Sequence, residues 1–362
     1  MKVYLKCSLL LLFFVYSKSN AYSQVTPFFD RHPNADSLKE GFTIHGNTLI
    51  YFKNNEYIKE AYPGFSALGA NNELSLSYKK RGHLITGGLL YQFVFGNPLR
   101  HQLLPVLTYQ YQLANDLKVV LGTLEGPAEH RLAQELQGLD GYLSNPVEYG
   151  LQFKYQPKWL DADVWINWRE NIVTGDSAQE KFTQGSNLSF HLLDKDDWKI
   201  DLNATALFYH FGGQIDISEA NVVSIINYGG GISVQKKFGR WSSNLQYNYF
   251  GFKNDEDYTL VPWAKGSGHS FTLDMNNSTL YFGVGYRTFD KYFTLFGDQV
   301  FSLINQFTGE VFGTRKELIS ASASYQLMSD RNFNLNIGSE LYYNLPNSQL
   351  DYNYSVMGRF KF

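Results

Sequence analysis

The chain has 362 residues, with 31 lysines and arginines against 34 acids and a formal charge of −3. That slight acidity excludes a nucleic-acid footprint, and the length admits one large domain or two ordinary ones. The 26 tyrosines and 28 phenylalanines exceed what a water-soluble core uses. An aromatic-rich chain that is polar on average fits a wall whose residues alternate between lipid and lumen.

Lys2 and Lys6 precede an apolar run from Leu9 to Val15 and then Ser19-Asn20-Ala21. This is the layout of a secretory signal peptide, with cleavage expected after Ala21. The apolar core is well short of the roughly 20 residues a spanning helix needs. Cleavage removes Cys7, the single cysteine, so an exported fold without disulfides needs a sizeable packed core instead. It also removes three lysines and no acids, taking the charge to −6. Residues 22–40 lack alternation and are expected to form a periplasmic lead-in.

From residue 41 the pattern has a period of two. Val147, Tyr149, Leu151, Phe153 and Tyr155 share one face, against Glu148, Gly150, Gln152 and Lys154 on the other. Leu160, Ala162, Val164, Ile166 and Trp168 repeat it against Asp161, Asp163, Trp165, Asn167 and Arg169. Strand-like segments fall at 41–53, 72–80, 83–95, 103–113, 117–124, 147–156, 158–169, 181–193, 197–211, 222–238, 241–252, 269–275, 279–288, 315–327, 331–343 and 352–362. A soluble sandwich shares the period, but its strands cluster near five or six residues, whereas a tilted spanning strand needs about 9–11. Connections also alternate: short ones such as Arg81-Gly82 and Gly239-Arg240 against long ones such as 125–146 and 253–268. The expectation is an all-β, antiparallel, up-and-down transmembrane barrel over 41–362. It has about sixteen strands, or fourteen if 41–53 stays out of the wall, with short periplasmic turns and long extracellular loops. The run within 289–314 would make the count odd and reads as an extracellular excursion.

The last eleven residues alternate without a break, with Tyr352, Tyr354, Val356, Gly358, Phe360 and Phe362 on one face. Here the chain resembles the porin-like bacterial outer-membrane β-barrel superfamily, whose final strand commonly ends in Phe. The resemblance implies that Tyr352 to Phe362 is read by the barrel-insertion machinery and that the protein lies among outer-membrane lipid and lipopolysaccharide. It names no substrate, because fold alone does not give function.

The candidate lumen-lining residues are Glu148, Gln152, Lys154, Asp161, Asp163, Asn167, Arg169, Lys199, Asp201, Arg287, Glu340 and Arg359. Mixed charge of this kind suits small polar solutes without strong ion preference. Pro127 followed by residues 128–136 reads as a helix stopped by Gly138. Folded into the lumen, it would set Glu129, His130, Arg131 and Glu135 around a constriction.

Porin-like passage of small hydrophilic solutes is the leading expectation. A lipid-modifying hydrolase is the second, needing a serine beside His130 or His269. A glycan-binding or structural barrel, with Trp263 and Tyr142 as stacking platforms, is the third. No catalytic set, cofactor or metal site is assigned; the oxygen-bearing cluster Asn254-Asp255-Glu256-Asp257 lacks the spacing of a calcium loop.

Overall fold

The computed structural model describes residues 38–58, 64–213, 217–255 and 261–362. The expected signal peptide, nearly all of the lead-in, and Glu256 and Asp257 lie outside them. The wall consists of β1 (Gly41–Glu56), β2 (Ser66–Lys80), β3 (His83–Val94), β4 (Asn97–Ala114), β5 (Leu117–Thr123), β6 (Tyr149–Tyr155), β7 (Leu160–Glu170) and β8 (Lys181–Lys195). It continues with β9 (Trp198–Phe211), β10 (Val223–Phe238), β11 (Trp241–Asn254), β12 (Lys265–Asn276), β13 (Leu280–Asp290), β14 (Arg315–Ser329), β15 (Phe333–Asn344) and β16 (Gln349–Lys361).

Each strand pairs antiparallel with its chain neighbours, and β16 closes on β1 from Asn47↔Lys361 to Glu56↔Tyr352. The 41–53 segment is therefore in the wall, and the count is sixteen. Closure leaves the sheet without an open edge along most of its height. Tight turns join the strands on the side where the wall begins and ends; at Arg81-Gly82 both residues take positive φ, 48° and 81°, which suits a two-residue hairpin. By the rule for single-chain barrels this is the periplasmic side.

Alternation sorts the two faces. Asp351, Asn353, Met357 and Arg359 of β16 are buried inward, while Tyr352, Tyr354 and Phe360 face outward. Outside, aromatic clusters mark two levels on β3 and β4. His83 stacks on Tyr111 at 4.4 Å near the periplasmic turn, and Tyr91 Oη meets His101 Nδ1 at 2.8 Å toward the loops.

Two connections turn inward and fill the lumen. Segment 124–148 runs through a 3-10 turn at Pro127–His130 and helix α1 (Leu139–Ser144), and segment 291–314 adds a 3-10 turn at Gln299–Phe301. Leu132, Leu136, Tyr292, Phe293, Val300, Phe301, Leu303 and Ile304 pack with wall residues that include Val120, Trp165, Tyr209, Phe252, Phe289 and Leu318. Each such side chain, fully buried, contributes roughly 1.5–3 kcal/mol, so the plug has a core of its own. Residues 289–314 thus lie within the barrel rather than standing outside it.

The helix expected over 128–136 is absent. Arg131 takes a left-handed backbone, φ 54° and ψ 38°, which ends the 3-10 turn. Glu129, His130 and Arg131 are each held by a different wall group, and a regular helix would turn them away from those partners.

The inward bend begins at Gly122, whose φ is +92° and where a Cβ would lie 2.2 Å from the Leu107 carbonyl oxygen. Gly122→Ala is expected to destabilise the barrel by about 1–3 kcal/mol through backbone strain. A lowered urea midpoint for the refolded protein would report it; an unchanged midpoint would show that the bend is not strained.

Candidate functional site

The plug is pinned by charge. Glu125 pairs with Lys118 and Lys154, and Glu129 reaches Lys154 at 3.5 Å. Burial pushes the Glu125 carboxyl up, but the two lysines outweigh it and hold it at about 2. His130, wholly buried, meets Asp163 at 2.9 Å through Nδ1 and Glu148 at 2.8 Å through Nε2, with its ring flat on Trp165 at 3.5 Å. Burial disfavours its charge, yet the two carboxylates raise it to about 9, so the ring is an imidazolium that donates from both nitrogens. Arg131 pairs with Asp161 at 2.6 Å, and Glu135 with Arg287 at 2.7 Å.

Other expected lumen residues brace this frame. Gln152 donates to Asp163, Asn167 to Glu148, and Glu340 accepts from Gln134, Asn353 and Tyr342. Arg169 lies 4.3 Å over the Phe296 ring. Lys199 and Asp201 sit apart with His191 near the periplasmic turns, and Arg359 donates to Asn47 beside the chain closure.

Above the plug, a cavity of about 510 Å³ opens on the loop side. Its cationic rim is Arg100, Arg169 and Lys181, and deeper in lie Asp140 and Asp298. Lys53 and Asn55 of β1 bind Asp140, and Tyr57 Oη lies 3.3 Å from Asp298 Oδ1. Burial drives the Asp298 carboxyl up to about 7, with Lys53 opposing and Asp140 and Glu340 adding to the rise. A carboxyl poised near neutral pH in a cavity is a fitting general base.

Sequence reasoning missed Lys53, Asn55, Tyr57, Asp140 and Asp298. The alternation in 41–53 was too weak to sort its faces, Asn55 and Tyr57 lie beyond that segment, and Asp140 in the short α1 and Asp298 in a loop lie outside the strands, where the period of two is silent. Gly138 and Gly297, glycines close before each aspartate, were the available signal; a Cβ at Gly138 would meet the Asp298 backbone at 2.8 Å.

The histidines singled out from sequence do not head a hydrolase triad. Both nitrogens of His130 are taken by carboxylates, and His269 faces outward, 3.0 Å from Tyr247 Oη. One serine–histidine hydrogen bond occurs among the described residues: His210 Nδ1 to Ser224 Oγ at 3.0 Å, on the outward face at the loop-side rim. Asp255 of the acidic loop pairs with Lys253.

Against known proteins, a family model described as lipid A 3'-O-deacylase-type matches residues 34–362. The chain belongs to this lipid A 3'-O-deacylase-type family. No curated protein matches it. Among solved structures, an anion-selective porin from Comamonas acidovorans is similar at 12% identity and TM-score 0.54, covering 90% of this chain and 100% of the porin. A loop-deletion mutant of the Vibrio cholerae outer membrane protein OmpT gives 10%, 0.53, 89% and 99%, and Pseudomonas aeruginosa OprD gives 8%, 0.52, 90% and 97%. At such identity the likeness is one of fold. This member of the lipid A 3'-O-deacylase-type family thus has a porin-like barrel fold whose lumen holds a packed plug.

Proposed function

We propose that the protein hydrolyses an acyl ester of a lipid A-class glycolipid in the outer leaflet, using the cavity above the plug. The observation that carries this is the juxtaposition, in one cavity facing the loop side, of Arg100, Arg169 and Lys181 with the buried carboxyl of Asp298. The cations suit the phosphates of such a lipid. Asp298 takes a proton from water as the water oxygen attacks the ester carbonyl, then returns it to the departing sugar oxygen as the C–O bond breaks, leaving a free fatty acid and a sugar hydroxyl. Family membership supports the same reading.

The test is mass spectrometry of lipid A incubated with the protein in proteoliposomes. Loss of one ester-linked acyl chain with release of its fatty acid is expected; intact lipid A after prolonged incubation removes the reading.

Passage of small polar solutes is the second reading, favoured by the porin-like fold. It requires the plug to leave a water path, with Glu129, His130, Arg131 and Glu135 as the constriction. Planar bilayers separate the two: steady single-channel current from the wild type supports passage. We expect the wild type to be silent, and deletion of 128–137 to introduce current.

A further inference from the structure

We propose that one acyl chain of an outer-leaflet lipid enters the lumen sideways, through a gap in the wall between β4 and the β6–β7 edge. This access path rests on the lipid-hydrolysis reading and adds its route. The gap follows from strand length. β4 has 18 residues, but β5 beside it and β6 beyond have 7 each, and pairing between β4 and β5 stops at Thr108↔Gly122. Seven residues fall short of the roughly 9–11 that a tilted strand needs to cross the hydrocarbon layer.

The height of the gap is set by the outer aromatic clusters. Tyr109 and Tyr111 mark the lower level on β4 and His101 the upper. Residues 102–106 therefore lie within the lipid-facing band, on the loop-side half, and pair with no residue of β5. The edge itself is finished rather than broken. Leu107 N–H donates to Thr123 Oγ1, so the odd-numbered residues turn their backbone groups toward the gap. Pro105 offers no N–H there, and its carbonyl accepts from Tyr149 Oη at 3.0 Å. Lipid-facing Leu103 and Leu107 are well exposed beside the opening.

Behind the gap lies a cavity of about 220 Å³, lined by Gln102 and Leu104 of β4, by Val147 and Tyr149, and by Trp168 on the β7 edge. It shares Gln102, Gly141, Ser144, Asn145, Arg169 and Phe296 with the larger cavity, so the two adjoin. A second, independent observation points to a ligand. Tyr209 is one of the lining residues, is wholly buried, and its hydroxyl has no hydrogen-bond partner. A buried donor of this kind is unfavourable unless an acceptor reaches it. The ester carbonyl of a lipid whose chain lies in the gap supplies one.

The experiment is photolabelling of the full-length protein in phosphatidylethanolamine proteoliposomes doped with lipid A that carries a diazirine beside the ester carbonyl of one acyl chain. Adducts on interior peptides bearing Leu295, Phe296 or Tyr209 are expected, besides those on outward Leu103 and Leu107. Adducts confined to outward residues would overturn the proposal. Tyr209→Phe keeps the ring and removes only the unpaired hydroxyl, so thermal stability is expected to hold while interior labelling falls roughly fivefold, the worth of one neutral hydrogen bond. Interior labelling equal to wild type in that variant would overturn the role of the phenol. Interior adducts without fatty-acid release would sink hydrolysis and leave sideways access standing.

Discussion

Replacing His130 with alanine is expected to loosen the plug by about 3–5 kcal/mol, because Glu148 and Asp163 are left buried without their shared counter-ion. The effect is local. The wall ladders do not depend on this residue, whereas the 3-10 turn at Pro127–His130 has the imidazolium as its anchor. Faster amide exchange over 125–136 with an unchanged barrel β-signal in circular dichroism is the expected readout, together with intermittent current in planar bilayers. Exchange equal to wild type would show that the lysine and arginine pairs suffice. The same site gives a pH dependence. His130 is raised from 6.5 to about 9, so its contribution to stability is fully present below pH 6.5 and is lost as pH rises through 9. Wild-type exchange over 125–136 should therefore accelerate in alkali, and the variant should lack that step.

The wall was legible because a barrel strand has only two environments and must alternate between them. β16 displays this most plainly: Tyr352, Tyr354 and Phe360 point to lipid, while Asn353 and Arg359 point inward and are buried. Trp165 was sorted to the polar face by period alone, and there it stacks on His130. The short β5 and β6 were less legible. Alternation runs on into Leu124 and Glu148, and those two residues remain paired through the backbone even as the chain turns inward. Nothing in a period-two pattern distinguishes a strand that spans from one that bends into the lumen. The plug was harder still. Leucines four apart at 132 and 136 imitate a helix, but they pack into a core made with residues such as Phe252 and Phe301, far away in sequence. The cavity acids depend on that packing, so Asp298 acquires its environment only when 291–314 folds inward.

Asp298→Asn is expected to lower fatty-acid release by about 10²–10⁴-fold, the usual worth of a general base. Asparagine keeps the size of the side chain and still accepts from Tyr57 Oη, now 3.3 Å away, so binding of the lipid should change little. In the wild type, Lys53, Asp140, Glu340 and Tyr57 face the carboxyl, and burial outweighs the single lysine to place it at about 7. The base form is the ionised one, so release should rise as pH passes through 7 and level off above it. Lys53→Met removes the opposing cation, which pushes the carboxyl further up and shifts that rise toward alkaline pH. A structural role for Lys53 would lower the plateau without moving the midpoint. Ser224→Ala is the discriminating control, since it silences the rim pair with His210 and leaves the cavity untouched. Full activity in Asp298→Asn with loss in Ser224→Ala would move the chemistry from the cavity to the outer face of β9 and β10, and with it the reason for a plugged lumen.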